Sequence, residues 1–363
     1  MKKLLILLTV FLMVFGLAAC STPKAKTYEL ALITDKGEID DKSFNQGAWE
    51  GLEKYAKANK KTYAYYKPTE VTTDAYIAAI ALAVKAGAKV VVTPGFLFEP
   101  AIFKAQDTYP AIKFILLDGS PNNQDYAGNF QAKLNSNVYS IFYREEQSGF
   151  LAGYAAVKDG FTNLGFMGGM AVPAVRRFGF GFLQGAEYAA KELGKASILV
   201  KYHYTGDFAD TPENKTKAAA WYKSGVEVIF AAGGKVGNSV MSAAKDQGKK
   251  VIGVDVDQSA ESPTVITSAK KELGNSVFQA LESYYKNTFP GGKSVSLGAE
   301  VNGIGLPQDF SRFKTFKKAD YDAIYAKLGK TVMLKTDADG GDKDGVPDAT
   351  KLALTITKVT YEK

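Results

Sequence analysis

The sequence predicts an α/β protein made of two doubly wound parallel-sheet lobes that are joined by a hinge. Short runs of apolar, often β-branched residues alternate with longer amphipathic segments along most of the 363 residues. This alternation is typical of parallel strands connected by helical crossovers. One pattern of strand, glycine loop, helix, strand and aspartate also occurs twice, and a chain of this length usually forms more than one domain. We therefore expect two similar lobes.

The predicted elements follow from the spacing of apolar residues. Runs that are apolar at every position indicate strands that are buried on both faces of a sheet. Such runs cover residues 28–34, 89–93, 113–117, 226–232 and 250–254. The amphipathic segments between them predict helices. These helices are expected at residues 44–58, 74–86 and 235–247.

The repeated pattern predicts where a ligand would bind. In the first half "VVVTPGF" precedes a helix and "KFILLDGS"; in the second half "VIFAAGG" precedes a helix and "KVIGVDVD". Asp118 follows Gly95 by 23 residues, and Asp255 follows Gly233 by 22. Open parallel sheets bind ligands at the carboxyl ends of their strands, so two such edges that face each other would form a cleft. The alternative is that each aspartate only caps a strand end.

The segment "ITDKGEIDDKSFNQGAWEGL", residues 33–52, is expected at the same edge. Asp35 directly follows the first strand, and Ser43 is expected to cap the helix that begins near Phe44. A phenyl ring in a polar loop beside carboxylates is a candidate stacking platform, and Asn45 adjoins it. The alternative is that Phe44 packs against the next helical turn as a hydrophobic staple, while the acids have ordinary loop and capping roles.

The N-terminus has the pattern of a bacterial lipoprotein signal. Lys2 and Lys3 precede an apolar run at 4–19 that ends in "LAAC" and is shorter than the about 20 residues of a spanning helix. Cys20 is the only cysteine, so no disulfide can form within the chain. We expect this thiol to carry the acyl chains that anchor the protein to a membrane. A cleaved secretory signal with an incidental cysteine is the alternative.

Charge and motifs argue against several classes of function. The formal net charge is +7, but lysines are interspersed with acids instead of forming a stripe, so nucleic acid is not expected as a partner. The chain contains neither the phosphate loop G-x-x-x-x-G-K-[ST] nor a G-x-S-x-G elbow. The single histidine, His203, lies in a strand-like segment without metal-ligand spacing. An enzyme such as a metal-dependent nucleoside hydrolase is therefore not expected.

Several motifs resemble those of the basic membrane protein family, bacterial lipoproteins that include purine nucleoside receptors. Besides residues 33–52, the similarity lies in "YREEQSGFLAGYAA", "VIFAAGGKVGNSV", "VIGVDVDQ", "VITSAKK" and "FPGG". It extends over roughly residues 28–307. The resemblance implies a type I periplasmic-binding fold. It also implies that the protein delivers a ligand to the permease of an ATP-binding cassette (ABC) transporter.

The resemblance also implies which residues hold the base. Phe44 and Phe230 match two aromatic residues, one from each lobe, that stack on a purine. Asp35 and Asp118 match acids that accept hydrogen bonds from the base. This chemistry is reasonable without the family, because a purine has flat faces and N–H donors, and charged hydrogen bonds are strong ones. We include Asn45, next to Phe44, among the ligand-binding candidates.

A second set of residues is implied to hold the ribose. Asp255 and Lys270 match the pair that binds its hydroxyl groups, with Lys270 expected at the start of a helix. Gly233 and Gly234 fall where the backbone must approach the ligand closely. The alternative for Lys270 is an ordinary solvated residue. The glutamates of "YREEQ" are expected in the first turn of a helix, where they complement the helix dipole, and are left out of the site.

The expected organisation combines these interpretations. We expect a signal peptide at 1–19, a lipidated tether at 20–27, an N-terminal lobe at 28–143 plus 268–300, and a C-terminal lobe at 144–267 plus 301–363. The protein is expected to be a monomer on the extracytoplasmic face of a bacterial cell membrane. It would bind adenosine, guanosine or inosine and require no cofactor. A pyrimidine nucleoside or sugar as ligand, or a role as surface adhesin or signalling receptor, are the alternatives.

The C-terminal tail departs from the family pattern. Residues 337–348 read "DADGGDKDGVPD", and "DKDGVPD" is similar to the calcium-binding loops of thrombospondin type 3 repeats. Asp342, Asp344 and Asp348 are therefore candidate ligands of a structural calcium ion. The segment does not fit an EF-hand loop, since a glycine and a lysine would occupy two ligand positions. A solvated acidic hairpin loop is the alternative.

Overall fold

The computed structural model describes residues 26–363. The predicted signal peptide and the lipidation candidate Cys20 lie outside the described residues. Among residues 26–363, no helix has the length and apolar character needed to cross a membrane.

Strands and helices alternate along the described chain. The strands are β1 (Leu30–Ile33), β2 (Tyr63–Tyr66), β3 (Val90–Pro94), β4 (Lys113–Leu117), β5 (Val138–Tyr143), β6 (Asn163–Gly168), β7 (Ile198–Tyr204), β8 (Val228–Ala232), β9 (Lys250–Asp255), β10 (Val265–Lys271), β11 (Lys293–Leu297), β12 (Ile304–Gly305) and β13 (Thr357–Tyr361). The helices are α1 (Phe44–Ala58), α2 (Thr73–Lys85), α3 (Glu99–Thr108), α4 (Glu145–Lys158), α5 (Pro173–Glu192), α6 (Pro212–Lys223), α7 (Val236–Gln247), α8 (Leu273–Tyr285) and α9 (Lys318–Tyr325).

The strands form two sheets, one for each lobe. The first has the order β11-β5-β4-β3-β1-β2, and the second has the order β12-β10-β9-β8-β6-β7-β13. Every pairing in the first sheet is parallel, whereas β12 is antiparallel to β10 in the second. The predicted strands appear as β1, β3, β4, β8 and β9, and the predicted helices as α1, α2 and α7, with ends within two residues of those expected.

Both sheets are buried on both faces because helices cover each side. In β1, Leu30 and Leu32 belong to the core cluster that contains α1, whereas Ala31 and Ile33 belong to the cluster that contains α2 and α3. Successive side chains of a strand point to opposite faces, so a strand between two helical layers must be apolar throughout. In the second sheet, α6 and α7 cover one face and α4 and α5 the other.

The chain passes between the two sheets at three places. It leaves the first sheet after β5 and returns after β10, where α8 packs against α1, and it leaves again after β11. The expected lobe boundary at 267/268 falls inside β10, whose residues all belong to the second sheet. Residues 268–271 therefore lie in the C-terminal lobe, and the correction follows from hydrogen bonding between β10 and β9 that local sequence does not reveal.

The acidic tail loop is held by its own turn. Gly341 forms a bridge with Pro347, and Asp342 Oδ1 accepts hydrogen bonds from the backbone N–H groups of Asp344 and Val346, both at 2.9 Å. Asp348 Oδ1 similarly accepts from the backbone N–H of Thr350 at 2.8 Å. Within residues 26–363, no group of three or more histidine, cysteine or acidic side chains is arranged to hold a metal ion. Calcium binding here stays a prediction.

Candidate ligand-binding site

A cavity of about 310 Å³ lies between the two lobes. Its volume is at the lower end of the range of about 300–1000 Å³ for small-molecule sites. The first lobe lines it with the loops after β1, β3 and β4. The second lobe contributes the N-terminal turns of α5, the segments after β7 and β8, and the ends of β9 and β10. Both sheets therefore present the carboxyl ends of their strands to one space, as the repeated pattern predicts.

Most of the predicted site residues line this cavity. They are Asp35, Phe44, Asn45, Asp118, Gly233, Gly234 and Asp255. Two predicted residues, Phe230 and Lys270, do not. The structure places other residues of the same chemical type in the corresponding positions.

The helix that carries Phe44 is capped by Asp41, not by Ser43. Asp41 Oδ1 accepts from the backbone N–H groups of Ser43 at 2.9 Å and Gln46 at 3.1 Å, and Oδ2 accepts from that of Asn45 at 3.0 Å. Ser43 makes no capping bond with its side chain. Its hydroxyl instead donates to Asp255 Oδ2 of the second lobe at 2.5 Å. Burial raises the pKa of Asp41 to about 6.

Asn45 connects two acids of the first lobe. Its side-chain Nδ2 donates to Asp35 Oδ1 and to Asp41 Oδ2, both at 2.9 Å. Asp35 Oδ1 also accepts from the backbone N–H of Gly37 at 2.8 Å. Burial raises the pKa of Asp35 in spite of these bonds. Asn45 thus orients Asp35 at the cavity wall. The sequence does not indicate this role, because it shows only an asparagine next to Phe44.

The two aspartates of the repeated pattern have the same unusual backbone conformation. Asp118 has a φ of 53° and Asp255 a φ of 65°. The left-handed region is uncommon for residues other than glycine and is often found at functional sites. Both aspartates lie at carboxyl ends of strands, β4 in the first lobe and β9 in the second. The equivalence seen in the sequence is therefore also an equivalence of geometry.

Lys271 joins these two aspartates. Its Nζ lies 2.7 Å from Asp118 Oδ2, 3.3 Å from Asp255 Oδ1 and 3.4 Å from Glu145 Oε1. The lysine side chain is only 3% exposed. Burial by itself would lower the pKa of Lys271, but the three carboxylates raise it well above its ordinary value. The Nζ is also 4.4 Å from the centroid of the Phe44 ring, so a fixed cation lies at the centre of the site.

Lys270 was the wrong choice for this position. It is a residue of β10, not the first residue of a helix, and its Nζ pairs with Glu272 Oε1 at 3.0 Å. Adjacent residues of a strand point to opposite faces, so only one of the two lysines in "SAKK" can face the cavity. The register of β10 in the second sheet decides that it is Lys271.

Phe230 was also wrongly expected at the cavity. Its side chain is fully buried in the core of the second lobe. Its ring centroid lies 5.5 Å from that of Phe166 and 5.9 Å from that of Phe178. Phe178 and Phe208 are the rings that line the cavity from this lobe. Phe178 lies on α5, in "VRRFGFGF", where a helical pattern by itself indicates only a core residue.

Glu145 and Arg177 extend the charged cluster behind the cavity. Glu145 lies in the first turn of α4, as expected, but its side chain is fully buried and contacts Lys271. Arg177 Nε donates to Glu145 Oε2 at 2.6 Å. Burial would raise the pKa of Glu145, yet Arg177 and Lys271 lower it overall. The sequence shows acids at a helix start, and only the packing of α4 against α5 and β10 shows their partners.

The glycine loop after β8 allows a close approach of two backbones. A Cβ on Gly233 would lie 2.6 Å from the backbone N of Gly169, so no larger residue fits there. Gly234 has a φ of 55°, which is a conformation that favours glycine. Both residues line the cavity, and the loop therefore presents backbone rather than side chain to a ligand.

Direct contacts join the two lobes beside the cavity. Lys235 Nζ lies 2.8 Å from Glu38 Oε2, and Gln258 Nε2 donates to the backbone carbonyl of Lys42 at 2.7 Å. Together with the bond from Ser43 to Asp255, these contacts connect the loop after β1 to the second lobe. The lobes thus lie close together around the cavity.

Comparison with known proteins identifies the family. A family model described as "ABC transporter substrate-binding protein PnrA-like" matches residues 28–336. The chain belongs to this family, called Bmp. It is therefore a substrate-binding protein of an ABC transporter and not an enzyme, and it belongs to a family that acts outside the cytoplasm. This finding confirms the resemblance to the basic membrane proteins.

Individual relatives and structures agree with this assignment. The chain is 32% identical over 336 residues to the ABC transporter nucleoside-binding protein BmpA of Lactococcus lactis, covering 86% of this chain and 91% of that protein. It is 30% identical to basic membrane protein D of Borreliella burgdorferi, with 89% and 92% covered. An ABC transporter solute-binding protein of Aeropyrum pernix has a similar structure, with a TM-score of 0.69, 25% identity, and 84% and 82% covered. The predicted periplasmic-binding fold is confirmed.

Proposed function

We propose that this protein is a lipid-anchored receptor that captures a purine nucleoside between its lobes and delivers it to the permease of an ABC transporter. The observation that carries the proposal is a buried acceptor beside aromatic rings. Asp118 Oδ1 is buried and has no hydrogen-bond partner among residues 26–363. An unpaired buried acceptor is costly, especially on a charged group. A ligand N–H at this place would remove that cost.

The rings near Asp118 favour a flat ligand. Lys271 Nζ lies 4.4 Å from the centroid of Phe44 and 5.3 Å from that of Phe178, and both rings line the cavity. Aromatic side chains can stack on any nucleobase, because every base has a π-face. A base placed against these rings would present its N–H groups at its edge, where a carboxylate can accept them.

The charges at the cavity favour a neutral ligand. The acids that line it are Asp35, Glu38, Asp41, Asp118 and Asp255, whereas the lining cations are Lys36, Lys235 and Lys271. Lys271 is already paired with three carboxylates. A phosphate would add negative charge to a site that is rich in acids, and this disfavours nucleotides.

Asp255 is the residue that we propose for the ribose. It lies at the end of β9 and contacts Lys271 from the second lobe and Ser43 from the first. Its carboxylate could accept hydrogen bonds from the vicinal hydroxyl groups of a ribose. The name of the Lactococcus relative, a nucleoside-binding protein, supports a nucleoside over a sugar. The cavity between the lobes also favours a small ligand over an adhesin, which needs no enclosed cleft.

Calorimetry with a matched set of ligands tests the proposal. We expect adenosine, guanosine or inosine to bind about tenfold or more tightly than cytidine, ribose, adenine and adenosine 5′-monophosphate. Asp255→Ala should weaken binding of the nucleoside by about ten- to a hundredfold, the equivalent of losing a charged hydrogen bond, and leave adenine almost unaffected. Preferential binding of cytidine or ribose would contradict the purine assignment. Equal losses for adenine and adenosine would place Asp255 on the base.

The lipid anchor has its own test. Cys20→Ser should release the protein from the membrane fraction of the producing bacterium, because acyl chains on this thiol are the proposed attachment. The soluble variant should bind adenosine as the wild type does. A variant that stays in the membrane fraction after a high-salt wash would contradict lipid anchoring.

A further inference from the structure

The C-terminal tail after residue 336 is connected to the cavity by a chain of charged contacts. Asp337 Oδ1 accepts a hydrogen bond from Arg177 Nη1 at 3.2 Å. Arg177 Nε donates to Glu145 Oε2 at 2.6 Å, and Glu145 Oε1 lies 3.4 Å from Lys271 Nζ. The match to the family model ends at residue 336, and Asp337 is the next residue.

We propose that Asp337 is a positioning residue for ligand binding, acting through Arg177 and Glu145 on Lys271. The inference rests on the proposed function, since it assigns a role in the same site. It concerns a residue of the tail that does not line the cavity.

Burial makes this chain of contacts effective. The side chain of Glu145 is 0% exposed, that of Lys271 is 3% exposed and that of Arg177 is 15% exposed. Charges that are removed from water interact strongly because solvent and salt screen them little. The planar guanidinium can serve two carboxylates through different nitrogens, and here it serves Glu145 through Nε and Asp337 through Nη1.

The balance of charge explains the expected direction. Two cations, Lys271 and Arg177, are shared among the carboxylates of Asp118, Asp255, Glu145 and Asp337. Without the charge of Asp337, Arg177 has one carboxylate left and is drawn toward Glu145. Lys271 then loses part of its attraction to Glu145 and is drawn onto the two cavity aspartates. Those aspartates accept fewer hydrogen bonds from a ligand, so the ligand binds less tightly.

The tail is attached to the second lobe by contacts that do not involve Asp337. Gln184 of α5 exchanges two hydrogen bonds with the backbone of Lys335, at 2.8 and 2.9 Å. Tyr204 donates to the carbonyl of Gly345 at 3.0 Å, and β13 pairs with β7. A substitution that removes only the charge of Asp337 should therefore leave the tail in place.

Asp337→Asn, compared with Asp339→Asn, tests the proposal. Asp339 lies in the same loop, is exposed and bonds to Thr336 and Lys335. We expect Asp337→Asn to weaken adenosine binding in calorimetry by about three- to tenfold and to lower the melting temperature only slightly, because asparagine still accepts a hydrogen bond from Arg177. Asp339→Asn should have no effect on adenosine binding. Asp337→Glu should restore most of the affinity. Equal effects of the two asparagine variants would overturn the proposal.

A second background separates a charge effect from a tail effect. The Arg177→Lys variant retains the positive charge but lacks the planar guanidinium, whose separate nitrogens bind two carboxylates. In this background, Asp337→Asn should change adenosine affinity by less than about twofold, because the path through the guanidinium is absent. If the full loss persists, Asp337 acts through the tail itself and the proposal is wrong.

A ligand-independent measurement distinguishes failure of this inference from failure of the proposed function. If the wild type does not bind adenosine, the nucleoside proposal fails, but the charged chain can still be tested. NMR of the protein labelled with [15N]lysine should show the Lys271 ammonium resonance, assigned with Lys271→Arg. We expect Asp337→Asn, but not Asp339→Asn, to shift this resonance. An unshifted resonance would overturn the inference whatever the ligand is.

Discussion

At the scale of single residues, Lys271 holds the site together. Three carboxylates from different segments, Asp118, Glu145 and Asp255, converge on its ammonium. Each of these acids would be costly to bury alone, and one lysine serves all of them. Part of their hydrogen-bonding capacity remains for a ligand, as the unpaired Oδ1 of Asp118 indicates.

Lys271→Met and Lys270→Met form a matched pair of variants. Removing one partner of a buried ion pair typically costs about 3–5 kcal/mol, so we expect Lys271→Met to lower the free energy of unfolding by an amount of this order and to abolish adenosine binding. Among residues 26–363, Lys270 pairs only with Glu272, at a partly exposed site, and its replacement should change stability by about 0.5 kcal/mol or less. Urea denaturation and calorimetry measure both. Equal losses in the two variants would contradict the assignment.

Phe44→Ala and Phe230→Ala should affect different properties, the first ligand affinity and the second stability. Phe44 lines the cavity and is partly exposed, so Phe44→Ala should weaken adenosine binding by about 1–3 kcal/mol, the range for stacking on a base, with little loss of stability. Phe230 is fully buried, and Phe230→Ala should instead cost about 3–5 kcal/mol of stability. Thermal melts and calorimetry separate the two. A large loss of stability with unchanged affinity for Phe44→Ala would support the hydrophobic staple.

At the scale of elements, the close packing of α4 and α5 positions the charged cluster. A Cβ on Gly149 would lie 2.1 Å from the carbonyl O of Phe178, and one on Gly181 would lie 2.0 Å from that of Glu146. The two backbones therefore touch, with no side chain between them. This packing brings Arg177 on α5 to Glu145 on α4 and places Phe178 at the cavity.

The start of α4 also predicts a pH dependence of stability. Burial, together with the nearby Glu145 charge, raises the pKa of Glu146 from 4.5 to about 7. The folded state then binds more protons than the unfolded state between these values, so the carboxylate destabilises the protein increasingly as pH rises through this window. Glu146→Gln should therefore raise the free energy of unfolding at pH 8, by up to about 3 kcal/mol, and change it little at pH 4.

An acid in the first turn of another helix provides the control for this measurement. Glu213 lies in the first turn of α6 and is exposed, so its charge stays hydrated on folding. Glu213→Gln, measured by urea denaturation at the same two pH values, is therefore the matched variant at an exposed position. A pH-independent effect of Glu146→Gln would mean that Glu146 does not titrate in the expected window.

At the scale of the whole molecule, contacts across the cavity favour the closed arrangement of the lobes. Glu38 of the first lobe pairs with Lys235 of the second, and both line the cavity. Hinge closure of two lobes around a ligand is a common motion of binding proteins. An ion pair at the edge of the cavity forms only when the lobes are together, so it should slow the release of ligand.

Glu38→Gln tests this role in closure. We expect adenosine to dissociate about two- to fivefold faster in stopped-flow measurements, because exposed ion pairs are worth little, and the ligand-free protein to have a larger radius of gyration in small-angle X-ray scattering. Glu53→Gln is the control, since Glu53 pairs with Lys57 within α1. An unchanged dissociation rate for Glu38→Gln would contradict a contribution of this pair to closure.

The sequence by itself determined the element types and the two equivalent strand ends. Apolar runs and helical periodicity are properties of residues that are close in sequence, so they can be recognised without the fold. The limits predicted for β4 and α1 are therefore those found in the structure. The repeated glycine and aspartate are likewise visible in short segments of the sequence. They predict that Asp118 and Asp255 lie at one cleft, and both residues line the cavity. The opening segment with Asp35 and Phe44 reached the same place because it directly follows a strand of that sheet.

Only the tertiary structure decided which side chains face the cavity. The register of β10 in the second sheet decides that Lys271, and not Lys270, faces the cavity. The face of β8 that packs against the helices decides that Phe230 is in the core, while Phe178 lines the cavity. The contacts of Asp337 join positions that are 160 residues apart. Periodicity indicates that a residue is buried, but its partners come from distant segments, and packing alone brings those segments together.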